Sequence, residues 1–196
     1  MILPREFYIR TDVVEIAREL LGKLLVTRID GVFTSGLITE TEAYAGVTDR
    51  ASHAYEGRRS ARTEVMYRIG GTAYVYLCYG IHSLFNVVTN DVDIPHAVLI
   101  RGIRPVDGME QMLQRTGKKK ARKDFANGPG KISKILGINF QHTGLDLMTL
   151  SREKRKPAIW IETGETISTT GIISSSRIGI NYAEEDAKLL YRFLVK

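Results

Sequence analysis

Between residues 72 and 104 the chain passes through three segments rich in valine, isoleucine and tyrosine, at 72–79, 82–89 and 96–104, with turns at Gly80 and at residues 93–95. β-Branched and aromatic side chains suit a pleated, half-buried surface. Turns this short return the chain beside itself, whereas a parallel neighbour needs a crossover of a dozen or more residues. The pattern predicts an antiparallel meander and excludes a regular βαβ rhythm.

The flanking sequence supplies helices and a further hairpin. Thr11 or Asp12 can cap a helix in which Val13, Ile16, Ala17, Leu20 and Leu21 recur at helical spacing, with Gly22 as a left-handed stop. Residues 23–29 read as a strand, Asp30-Gly31 as a hairpin turn and residues 33–44 as the return strand, with Gly36 as a candidate bulge. Alternation then puts Ile38, Glu40, Glu42 and Tyr44 on one face. Asp107 with Glu110 resembles a capping box opening one helix, and a second follows residues 127–130. Residues 157–162 and 166–173 read as strands and residues 183–193 as a closing helix. The class is therefore α+β, a single domain over residues 1–196, since no repeat, low-complexity stretch or linker divides the chain.

Composition excludes several function classes. At 196 residues, 43% hydrophobic and 26% charged, the chain can bury a core without covalent staples. It has no run of eighteen apolar residues and no amino-terminal signal pattern, so a membrane protein or a secreted one is not expected. The lone Cys78 rules out an internal disulfide and thiolate-rich metal sites, and no two of the four histidines stand at metal-binding helical spacing. Neither a metal nor a cofactor is expected. The Gly-rich phosphate loop, the nucleophile elbow and the dinucleotide fingerprint are all missing. A net charge of +6 favours a polyanionic partner.

Three features can carry chemistry. Glu40 and Glu42 stand two residues apart in an apolar strand; a carboxylate buried there needs hydrogen bonds or a cation, and makes a good general base. Six of the nine tyrosines fall between residues 44 and 79, next to arginines in the polar segment 45–71, a combination suited to stacking nucleobases and holding phosphates. The basic stretch 115–134 ends in Asn127-Gly128-Pro129-Gly130-Lys131, the start of a helix where free amides favour an anion such as a phosphate.

The strings ITETEAYAG (38–46), ASHAYEGRR (51–59), GGTAYVYLCYGIHSLFNVVT (70–89), HAVLIRGIRPVDG (96–108), NGPGKISKILGI (127–138) and SRIGINYA (176–183) resemble, in this order, the alkyladenine (3-methyladenine) DNA glycosylase family. The resemblance spans nearly the whole chain. It implies a compact α+β fold with a curved antiparallel sheet and peripheral helices. The implied activity is hydrolysis of the N-glycosidic bond of alkylated or deaminated purines in duplex DNA, leaving an abasic site.

By that resemblance, Glu42 is the general base that activates water and Arg101 helps to hold the water. Tyr44 and Tyr76 sandwich the extruded base, His53 meets its edge and Asn86 crowds out the exocyclic amine of guanine. Tyr79 fills the gap left in the duplex, while Arg58 and Lys131 meet the DNA backbone. No role falls to Glu40. Ile81-His82 departs from the methionine and aromatic residue common in relatives. The implied partner is double-stranded DNA carrying damaged purines, met by a monomer. The absence of a long amino-terminal tail favours a bacterial protein in the cytoplasm at the nucleoid; a eukaryotic one would be nuclear. Two other classes compete: a non-catalytic basic nucleic-acid-binding module with Glu42 on its surface, and a carbohydrate glycosidase using both glutamates.

Overall fold

The computed structural model describes residues 1–149, 153 and 156–196. A four-residue helix, α1 (Arg5–Tyr8), precedes α2 (Val13–Glu19), where the Asp12 carboxylate accepts the amides of Val14 and Glu15 and so satisfies two donors of the first turn. The apolar stripe of α2 is buried at Val13, Ile16 and Ala17, continued by Leu20 and Leu21. Strands β1 (Leu24–Ile29) and β2 (Val32–Tyr44) follow, joined by Asp30-Gly31 with φ of 55° and 76°. Two positive φ values in a two-residue loop match the right-handed twist of the strands it joins.

Strands β3 (Ala73–Cys78), β4 (His82–Thr89) and β5 (His96–Pro105) form the expected meander. Helices α3 (Met109–Thr116) and α4 (Pro129–Leu136), then β6 (Ala158–Glu162), β7 (Ile172–Ser175) and β8 (Arg192–Val195), complete the chain. All pairings are antiparallel, in the order β3-β4-β5-β2-β1-β6, and the sheet is curled, so the fold is α+β. The core lies between one face of the sheet and helices α2, α3 and α4, with Phe85, Phe193, Ile100, Met112 and Ile132 fully buried. The 45–71 segment is no passive connection. Its short 3₁₀ turns pack Ala54, Val65, Met66 and Tyr67 against Tyr74, Val88 and Ala97 in a second cluster.

Four local expectations are corrected. The irregularity in β2 lies not at Gly36 but around Glu40: Ile38 pairs with Ile103, Glu40 with Gly102 and Thr41 with Ile100. Ile38 therefore joins Ala43 in the main core instead of sharing a face with Glu40 and Glu42. Asp107 does not cap α3. Its carboxylate accepts the Ser35 hydroxyl at 2.6 Å, and the cap is Gly108 at φ 77°, where a Cβ would lie 2.6 Å from the Phe33 carbonyl oxygen.

The 166–173 strand begins only at Ile172. Before it, the Glu165 amide donates to the Gly22 carbonyl and Ile167 packs over Gly22, so this stretch lies against the start of β1 outside any strand. Instead of a closing helix over 183–193 there is a 3₁₀ segment, broken at Glu184 (φ 51°), and then β8. Strand β2 outruns β1 and presents open backbone at Glu40, Thr41 and Glu42. Pairing of β8 there satisfies that backbone and buries Phe193 completely.

Candidate active site

The offset around Glu40 builds the site. Thr39 has no opposite residue on β5 and Arg101 none on β2, so each strand carries one extra residue and the two irregularities cancel. The Arg101 carbonyl accepts the Gly128 amide, and its side chain extends over the face that carries both glutamates. Its Nε lies 3.1 Å from Glu40 Oε1 and 3.4 Å from Glu42 Oε1.

Glu42 has no exposed surface. Its Oε1 accepts the Ile178 amide and its Oε2 the Tyr44 hydroxyl, each at 2.8 Å, while Arg101 Nη1 stands off at 3.5 Å. Burial pushes the Glu42 pKa up; the Arg101 charge, the Ile178 amide and the Tyr44 hydroxyl oppose this in part, and the neighbouring Glu40 adds to the rise. A carboxylate so held is more basic than one in water and keeps its geometry.

Above it opens a cleft of about 480 Å³ lined by Tyr44, His53, Tyr76, Asn86, Arg101 and Ile178, with Tyr79 and Tyr182 at its rim. Tyr44, Arg101 and Ile178 both line the cleft and touch Glu42, so the carboxylate sits directly beneath its floor. Tyr76 meets His53 edge to face at 4.6 Å and leans on Tyr74 at 5.3 Å. His53 Nδ1 bonds the Tyr74 hydroxyl at 2.8 Å; burial, with help from the Arg62 charge, drops the imidazole pKa to about 4. The ring is thus neutral near pH 7. Arg62 Nη2 approaches Nε2 at 3.5 Å, and because a guanidinium only donates, this favours the tautomer protonated on Nδ1. The Asn86 amide nitrogen is held by the carbonyls of Tyr74 and Leu84, at 3.1 and 3.3 Å.

Tyr79 is 92% exposed at the β3–β4 hairpin tip, held there by a φ of 50°. Both residues of the sequence departure are also exposed, and His82 abuts Gly130 at the start of α4. Pro129 reaches the cleft, but Arg58 and Lys131 do not line it. The Arg58 carbonyl accepts the Tyr67 hydroxyl while its side chain faces solvent, and Lys131 pairs with Asp124 at 2.6 Å. Residues 118–123 are exposed, whereas Arg115 turns inward to the Ile135 carbonyl and the Thr34 hydroxyl.

The site also uses residues to which the sequence reading gave no role. Arg177 is buried beneath Tyr44, its guanidinium carbon 4.8 Å from the ring centre, and it pairs with buried Asp49 and donates to the Ala43 carbonyl. That anchor sets the Ile178 amide on Glu42. The string SRIGINYA pointed to this segment, but a backbone amide leaves no side-chain signature. Arg192 of β8 reaches Glu40 at 2.6 Å, from a stretch read as helix. Glu40 is thus held by two guanidinium groups and is not a second acid facing a sugar across a cleft.

A family model for methylpurine-DNA glycosylase matches residues 6–196. The chain belongs to the methylpurine-DNA glycosylase family. Among the family's bacterial members, a Chlamydia felis protein named "Putative 3-methyladenine DNA glycosylase" is 45% identical, over 98% of this chain and 95% of its own length. Proteins of the same name from Clostridium perfringens and Bacillus mycoides are each 44% identical, over 100% and 97% of this chain and 96% and 94% of their own lengths. Among the described residues of this methylpurine-DNA glycosylase relative, no cluster of three or more His, Cys, Asp or Glu could hold a metal ion. No helix there is long and apolar enough to cross a membrane.

Proposed function

We propose that this chain is a monofunctional DNA glycosylase that extrudes alkylated or deaminated purines from duplex DNA and hydrolyses their N-glycosidic bond. The observation that carries the reading is the Glu42 carboxylate, buried and hydrogen-bonded beneath a tyrosine-lined cleft in a chain of this family.

A stacked nucleotide hides its glycosidic bond, and extruding it costs a few kcal/mol, less where damage has weakened pairing. Stacking between Tyr44 and Tyr76 returns about 1–3 kcal/mol, more for a cationic alkylated purine over electron-rich rings. Tyr79, exposed at its hairpin tip, fills the space left in the duplex. Neutral His53 meets the edge of the base, and Asn86, pinned by two carbonyls, crowds a guanine amine. Arg58, Lys131 and the exposed basic run meet phosphates.

As the C1′–N bond breaks, its electron pair leaves with the base and positive charge develops on the sugar. Water oxygen bonds to C1′ and gives its proton to Glu42. A carboxylate has about four acceptor sites; the Ile178 amide and the Tyr44 hydroxyl take two at full strength, which leaves capacity for water that Arg101 helps to orient. No amine nucleophile takes part, so the product is an abasic site in an unbroken strand. The enzyme works as a monomer at the chromosome.

The test is release of free base from duplexes carrying 3-methyladenine, 7-methylguanine, hypoxanthine or ethenoadenine. Wild-type protein frees base without nicking the strand. Glu42→Gln keeps lesion binding and loses release by at least about 10², the usual scale for a general base. Near-normal release by that variant refutes the assignment.

A further inference from the structure

Glu40 has no part in the reaction as proposed above, yet it is buried, outside the cleft lining, and centred among charged groups. Its Oε1 alone receives Arg192 Nε at 2.6 Å and Arg101 Nε at 3.1 Å. Arg101, the guanidinium beside the base, is therefore bonded better to Glu40 than to Glu42, which it faces only at 3.4 and 3.5 Å. Contacts of that length are weak hydrogen bonds.

Room for this arrangement is cut from β5. Gly102 lies directly opposite Glu40, and a Cβ there would stand 3.0 Å from Glu40 Cβ and 3.4 Å from its Oε2. The charges balance locally, with two carboxylates against two guanidiniums. Take away Glu40, and Arg101 is free to close on Glu42 as a bidentate pair, the strongest geometry open to a guanidinium and a carboxylate. That pair would occupy the acceptor sites meant for water and make Glu42 a weaker base.

We infer that Glu40, braced by Arg192, is a positioning residue that holds Arg101 at the edge of Glu42 and keeps it from closing on the base. The inference rests on Glu42 acting as the general base. The charged and titratable groups around Glu42 come from every neighbouring element: Glu40 and Tyr44 on β2, Arg101 on β5, Arg192 opposite it on β8, and Arg177 beside the Ile178 amide. Neutralising Glu40 removes a like charge from Glu42 and so moves the acid limb of the rate profile to lower pH.

The experiment is single-turnover excision of hypoxanthine from a duplex, as a function of pH, with lesion-DNA affinity measured in parallel. Glu40→Gln lowers the rate constant by a factor approaching about 10², the scale of a small misplacement of reacting groups. Its affinity stays at the wild-type value and its acid limb moves to lower pH. Arg192→Gln loosens the brace on Glu40 and also slows excision at unchanged affinity, and it carries the test from the other end should Glu40→Gln fail to fold. Wild-type rates and unmoved limbs in the variant that folds, with Glu42→Gln inactive, overturn the positioning role and leave the base reading intact. Wild-type release by Glu42→Gln overturns the base reading itself.

Discussion

The Arg177–Asp49 pair beneath Tyr44 ties the stability of the fold to the geometry of the site. The two side chains are 0% and 2% exposed. Asp49 receives Arg177 on both carboxylate oxygens and also the amides of Ala45 and Ala51, whereas Arg177 donates further to the carbonyls of Ala43 and Asp186. Removing one partner of a buried pair leaves an uncompensated charge and costs about 3–5 kcal/mol. Arg177→Met belongs at the lower end, because two backbone amides still solvate the Asp49 carboxylate. Asp49→Ala belongs at the upper end, since it strands the guanidinium and leaves two amides without an acceptor. At roughly 2–4 °C per kcal/mol for a chain of this size, the melting temperatures fall by about 6–20 °C. The double variant Asp49→Asn/Arg177→Met carries no buried charge here, and the substituted side-chain amide keeps an acceptor oxygen for the backbone. It should be more stable than the sum of its singles predicts by at least about 1 kcal/mol, within the range for coupled neighbours. Base release stays low in the double variant, because Ile178 has lost its anchor to Ala43. Urea titration of wild type, the two matching single variants and the double, with excision assayed on each, decides the matter. Singles that each lose under about 1 kcal/mol, the level of an exposed pair, or a strictly additive double variant, would refute this account.

Three further outcomes follow from the geometry. His53 is neutral in the fold with a pKa of about 4, against 6.5 for a free imidazole, so the unfolded chain binds the extra proton and stability falls as pH drops through that window; His53→Gln should flatten part of this decline in thermal melts, and an unchanged pH slope would contradict the assigned burial. Glu42 has the opposite sign: its raised pKa means that stability is lost as pH rises through the folded value, so Glu42→Gln should melt higher than wild type at pH 8, and a lower melting temperature would show the carboxylate to be structurally favourable. Tyr79→Ala removes a 92% exposed side chain and should leave stability within about 0.5 kcal/mol while weakening binding to lesion duplex; a pure stability defect would end the plug assignment.

Much of this molecule is written in local chemistry. Asp12 caps α2, Asp30-Gly31 turns the first hairpin, Pro129 opens α4 and the three valine-rich runs pair as a meander, because each depends on a short turn or on partners close along the chain. The strings containing Glu42, Tyr44, His53, Tyr76, Asn86 and Arg101 singled out these residues through a resemblance that periodicity alone could not supply, and the fold brings them close together. What lay beyond reach was set by contacts between segments remote in sequence. Whether residues 183–193 form helix or strand depends on the open edge of β2, far earlier in the chain, and that choice delivers Arg192 to Glu40. The offset pairing at Glu40 and Gly102 overrides simple alternation, sends Ile38 to the core and frees Arg101 to reach both glutamates. A residue's own sequence states which hydrogen bonds and charges it can offer. The partner across the sheet decides whether those charges are neutralised, and that was settled only when the strands closed on one another.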